Sequence, residues 1–203
     1  MTVIYGSSIA DGTLTNACAM AATTGGTETS KLTTNQAVAG TFGEVYSQGG
    51  TSTTYSAIQA PSGHGWVFLP GAGTFATGNW SASITLSSAN GTVGMIYIVR
   101  FYKYTGSYVS IGSINGPGAT TTAKTTYSFT ATSMSTVTFA ATDLLYVDLW
   151  LNDTSGVSSD NPTVYISNSA TQGVANDMQI TTSTFTASAT RKIISDGMGG
   201  MFS

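Results

Sequence analysis

The chain has 203 residues, 41% of them hydrophobic and only 7% charged, with six basic against nine acidic side chains and a net charge of −3. An ordinary soluble domain is about 25% charged, and the only basic cluster is the dipeptide Arg191-Lys192, so the basic stripe of a nucleic-acid binder is excluded. Ten Tyr, eight Phe and three Trp exclude a disordered chain and supply a core.

Cys18 is the only cysteine, so no intrachain disulfide is expected. The start, Met1 to Gly6, has neither the cationic segment nor the apolar run of a signal peptide. No stretch approaches the ~18–20 apolar residues of a membrane span. The expectation is a soluble protein made in the cytoplasm, with no membrane partner.

Residues 1–53 are rich in Thr, Ala and Gly, with scattered apolar positions such as Ile4, Leu14, Met20 and Leu32. Alternation there is short, which predicts an extended N-terminal arm or a few short strands rather than an independent core. From Thr54 onward, period-two runs follow one another closely. They predict strands at Thr54–Ala60, Gly65–Leu69, Trp80–Leu86, Val93–Tyr104, Tyr108–Ile114, Thr125–Thr132, Thr136–Ala140, Leu144–Asn152, Thr163–Asn168 and Met178–Thr186. That is too many for one open sheet of ordinary size, so two packed sheets are expected. Ala89-Asn90-Gly91-Thr92 carries the Asn-Gly signal of a tight hairpin, Tyr104-Thr105-Gly106-Ser107 reads as a second, and Asn115-Gly116-Pro117-Gly118 as a longer turn. The fold class is therefore all-β, an antiparallel β-sandwich of jelly-roll type over residues 54–190, with an arm at 1–53 and a glycine-rich tail at 191–203.

Two strands are unusual. Leu145, Val147, Leu149 and Leu151 form an obvious core face, yet the opposite parity is Leu144, Tyr146, Asp148 and Trp150. In Met95 to Tyr102 both parities are again largely apolar. A strand with one wet face alternates apolar with polar, so both strands are expected to be covered on both sides. Ile96, Ile98, Tyr102, Tyr146 and Trp150 are thus the candidate interface residues, to be covered by the arm or by a neighbouring subunit.

No catalytic or metal-ligating set stands out. His64 is the only histidine and no Gly-x-Ser-x-Gly elbow accompanies it. Cys18 has no nearby cation or helix start to stabilise a thiolate and reads as a small buried residue. Asp153 to Asn161 offers oxygens but lacks the spacing of a calcium loop, so it reads as a solvated loop. Gly71 to Gly78 lacks the lysine of a phosphate loop and reads as a turn. Trp66, Trp80 and Trp150 suit core or interface packing better than sugar stacking. No cofactor is expected.

The stretch from Gly65 to about Thr186 resembles phage virion structural proteins of the decoration or tail-associated jelly-roll kind. The resemblance is carried by Gly65-Trp66-Val67-Phe68-Leu69-Pro70, Thr77-Gly78-Asn79-Trp80-Ser81-Ala82, the Tyr-rich strand ending at Phe101-Tyr102, and Phe139-Ala140-Ala141-Thr142-Asp143-Leu144-Leu145, with Thr142 where that pattern often has Gly. It implies a non-enzymatic capsid-decorating or cement role on the virion, with other virion proteins and copies of the chain itself as partners. A carbohydrate-binding β-sandwich module and a self-polymerising cell-surface filament subunit are the alternatives, the first with a glycan partner and the second placed on the extracellular surface.

Overall fold

The computed structural model describes residues 1–14, 17–33, 43–45, 53–55, 61, 65–88, 95–116, 118, 120–153 and 163–189, and within these the side chains of 29–33, 43–45, 53–55, 95–96 and 151–153 lie outside the description. The β-branched and aromatic runs form strands, as such residues pack well on a pleated surface. In chain order they are β1 (Thr2–Ala10), β2 (Cys18–Ala21), β3 (Glu28–Thr33), β4 (Gly43–Val45), β5 (Thr53–Tyr55), β6 (Trp66–Phe68), β7 (Gly73–Phe75), β8 (Gly78–Ser87), β9 (Met95–Tyr104), β10 (Tyr108–Asn115), β11 (Thr125–Ser128), β12 (Thr132–Met134), β13 (Val137–Phe139), β14 (Leu144–Asp153), β15 (Thr163–Ser167), β16 (Met178–Thr182) and β17 (Phe185–Ala187). There is no helix among the described residues.

One large sheet runs β10-β9-β14-β6-β2-β1-β16-β8-β15-β3, with β11 and β12 also paired to β8 and β4 joining β14 to β5. A small antiparallel sheet, β13-β7-β17, sits beside it. The large sheet is mixed rather than antiparallel throughout, because β2 runs parallel to β6 and β1 meets β15 in parallel at Ser7 and Ser167. A parallel pair needs a long crossover, and here the chain from Ala21 to Trp66 supplies it.

A twisted sheet this wide curls. Trp80 of β8 packs edge-on against Phe101 of β9 with centroids 4.9 Å apart, although the two strands share no ladder. The inward residues of β8, β16 and β15 thus face those of β9, β14 and β6 across one sandwich-like core that holds Ile4, Cys18, Trp66, Ile84, Val99, Leu145, Val147, Leu149, Ile166 and Ile180. Indole nitrogens inside it are satisfied: Trp66 Nε1 donates to Ser7 O at 3.0 Å and Trp80 Nε1 to Ser183 Oγ at 3.0 Å. The small sheet seals one end, where Phe75 meets Trp80, Phe139 and Phe185 at 5.3, 5.5 and 4.7 Å.

Of the two options for the N-terminal region, residues 2–10 take the strand: β1 lies inside the large sheet between β2 and β16, with Ile4 in the core. The Asn90-Gly91 turn lies outside the described residues, but the strands it joins, β8 and β9, do not pair. β8 is occupied by β16 and β15 on one flank and by β11 and β12 on the other, while β9 lies between β10 and β14. The Tyr104–Ser107 hairpin does form, with Gly106 at φ 91° in the left-handed region that glycine tolerates. Two long predicted strands each break into two, β11 with β12 and β16 with β17, and β7 forms where the glycines suggested only a turn.

Candidate interaction surface

The outer face of β9, β14 and β6 is built by the even-numbered residues of β9 and β14, because successive strand residues point to opposite faces. On β14, Leu145, Val147 and Leu149 are buried in the core, and Leu144, Tyr146, Asp148 and Trp150 are buried on the other side. The two-sided cover expected from the pattern is present. Part of it comes from the chain's own N-terminal region: Ala17 and Leu14 pack with Val67, Tyr102, Leu144 and Tyr146 in a second apolar cluster. Asp11 shapes that loop, its Oδ2 accepting the N–H groups of Thr13 and Leu14 at 2.9 and 3.2 Å.

Of the five candidate interface residues, Tyr102, Tyr146 and Trp150 are therefore buried within the single chain, and Ile98 is half-buried. They are not a free surface, since intrachain packing has already taken them. The side chain of Ile96 lies outside the described residues, as do His64, the loop 154–160 and Arg191-Lys192. Cys18 is buried in the main core, and all three tryptophans are fully buried, so none of them offers a stacking platform.

Polar groups lie under this face. The Tyr146 hydroxyl accepts the Gly65 N–H at 2.8 Å and donates to Asp148 Oδ1, and both side chains are fully inaccessible. Gly65 is required there, because a Cβ would stand 2.1 Å from Val147 O. Arg100 lies directly across the ladder from Asp148 and its Nη1 donates to the Tyr102 hydroxyl at 3.4 Å. Burial pushes the Tyr102 phenol above its ordinary value, with Arg100 pulling against it.

Sequence reasoning missed the part of this face that does reach solvent. Tyr104 and Tyr108 are half-buried and stack at 4.9 Å, and Tyr108 continues onto Tyr146 at 4.9 Å. On the other side of the same strand, opposite Lys103, Val109 is 54% exposed. β10 pairs with β9 along its length, and its far end is covered where Thr130 N donates to Asn115 O and Met134 packs on Gly112. Among the described residues no strand pairs with the other flank of Tyr108–Ser110. A recess of about 140 Å³ opens there, lined by Lys103, Val109, Ile111, Thr136 and Val137. The signal was in the sequence, since Tyr108-Val109-Ser110-Ile111-Gly112-Ser113-Ile114-Asn115 contains no charge and no proline, the usual guards of an edge.

Lys103 and Lys124 are paired within the chain. Lys103 Nζ pairs with Asp143 Oδ2 at 2.8 Å and donates to Thr138 O at 2.7 Å. Those bonds from Lys103, together with the Ala140 N–H, hold the Asp143 carboxyl below its ordinary range. Lys124 Nζ pairs with Glu28 Oε2 and stands 3.5 Å from Asp177 Oδ1. No three His, Cys, Asp or Glu side chains group as a metal site among the described residues. No family model matches the chain, and none of the curated proteins or solved structures matches it.

Proposed function

We propose that the chain is a non-enzymatic structural component of a virus particle, a phage decoration or tail-associated protein of jelly-roll type, made in the host cytoplasm and carried on the virion. The observation that supports this reading is the uncharged edge at Tyr108–Ser110, flanked by a tyrosine pair and an exposed valine, on a chain in which Lys103 and Lys124 are engaged in internal pairs. An open, unguarded strand edge pairs readily with another chain. Contacts of this apolar and backbone type are little screened by salt, unlike ion pairs. Copies of the chain itself and other virion proteins are the partners this surface suits.

The test has two arms. Light scattering across a concentration series at low and high salt reads self-association, and mass spectrometry of purified particles reads incorporation. Val109→Lys places a charge on the open edge without touching the core, and it is expected to leave the thermal midpoint unchanged while reducing assembly. Monomers at every concentration, together with absence of the chain from purified particles, overturn the proposal. Long fibres from the purified protein alone overturn it in favour of the filament subunit.

A further inference from the structure

Lys124, Glu28 and Asp177 come from three separate parts of the chain: the segment before β11, the first residue of β3, and the residue before β16. Lys124 Nζ pairs with Glu28 Oε2, stands 3.5 Å from Asp177 Oδ1, and lies 4.8 Å from the centre of the Tyr165 ring. The Asp177 side chain is only 5% exposed, and its second oxygen, Oδ2, is buried with no hydrogen-bond partner among the described residues. A salt bridge built only for stability would satisfy both oxygens, since a buried carboxylate lacking a partner is costly. The backbone of Asp177 is fixed meanwhile, its carbonyl accepting Thr85 N–H at 2.7 Å and its N–H donating to Val174 O at 3.3 Å.

We propose that Lys124 and Asp177 become joined by an amide bond between Nζ and Cγ, with Glu28 as the proton carrier. Glu28 accepts a proton from the Lys124 ammonium, which frees the nitrogen lone pair. The amine attacks Cγ of Asp177 in its protonated form, which burial favours by raising its pKa. Glu28 then delivers its proton to the departing hydroxyl, which leaves as water. The remaining excess proton on nitrogen passes to Glu28 and on to solvent, replacing the one that Asp177 took up. The net change is one ammonium and one carboxylate giving one amide and one water, with no oxidant or activating group required. Fixed proximity of this sort is what makes an otherwise slow condensation proceed. The inference is independent of the assembly role proposed above.

Intact-mass spectrometry of the full chain tests it, followed by peptide mapping. The expected result is a chain lighter than its sequence by one water, with Lys124 and Asp177 in a single branched peptide. Lys124→Arg and Glu28→Gln are expected to restore the unmodified mass while retaining the β-type circular dichroism of the parent. A parent chain of full mass after prolonged incubation overturns the proposal whatever the variants do. A water loss that persists in Lys124→Arg, or that maps to other residues, also overturns it.

Discussion

Removal of one oxygen atom from Tyr146 is the sharpest test of the buried polar layer beneath the outer face. In Tyr146→Phe the ring keeps its packing, but the Gly65 N–H loses its acceptor and Asp148 Oδ1 loses a donor, both at sites closed to water. Stranding a buried neutral donor costs about 1–3 kcal/mol, and weakening a bond to a charged group adds about 1.5–3 kcal/mol, offset by the phenol no longer needing to be desolvated. The expected loss is about 3 kcal/mol. For a chain of this length that lowers the melting midpoint by about 6–12 °C. Urea titration followed by intrinsic fluorescence reads it, with an unchanged m value showing that the unfolding unit is the same. Tyr102→Phe is the control: its hydroxyl has only a 3.4 Å bond to Arg100, so the change is expected to stay within about 0.5 kcal/mol. Equal effects for the two variants, or a loss below about 1 kcal/mol for Tyr146→Phe, would refute the argument that this hydroxyl holds β6 against β14.

Phe75→Ala removes the ring that joins the small sheet to the large core, and calorimetry is expected to show a loss of about 3–5 kcal/mol, with Trp80 emission shifting because one of the rings packed against it is gone. Gly65→Ala forces a methyl against Val147 O and is expected to cost about 1–3 kcal/mol in the same assay; an unchanged midpoint would show that β6 can move away from β14 freely. The Asp143 carboxyl has a folded pKa below its unfolded value, so its contribution to stability is complete above the unfolded value of 3.8 and is lost as pH falls through the folded one. Asp143→Asn is therefore expected to flatten the fall in stability at the acid end of a pH series while costing stability at neutral pH.

What the sequence made legible follows from how burial is encoded. β14 and β9 announced themselves because large side chains occupy both parities, and a large side chain exposes its burial requirement directly. The length and central place of β1 stayed hidden because its buried positions after Ile4 are Gly6 and Ser7, whose burial comes from neighbours: a Cβ on Gly6 would strike Met178, and Ser7 donates to Ala19 O at 2.8 Å. β7 hid for the same reason, Gly73 lying so close to Phe185 and Thr186 that only glycine fits. The Asn90-Gly91 pair predicted a tight hairpin but carried no information on which strand becomes the neighbour of β8 or β9. As for the site, the acidic run from Asp143 to Asp160 attracted notice by density, whereas Asp177 gained its character only when Glu28 and Lys124 were brought to it from distant positions. The tyrosine pair was readable as a hairpin, yet its partial exposure depended on the absence of a strand beside β10.

The position of β1 has a consequence for how the protein is made. Thr2 lies opposite Thr182 and Ile4 opposite Ile180, so β1 leaves the ribosome long before β16 and waits for it before its second edge is filled. Until then one flank of Thr2–Tyr5 offers bare backbone groups to any passing strand. Sheets dominated by such distant pairings fold slowly, as the cost of closing the long loop comes before the contacts that repay it. Slow synthesis and high local concentration of nascent chains would therefore favour mispaired aggregates, and a chain truncated before Met178 would leave this strand permanently half-paired.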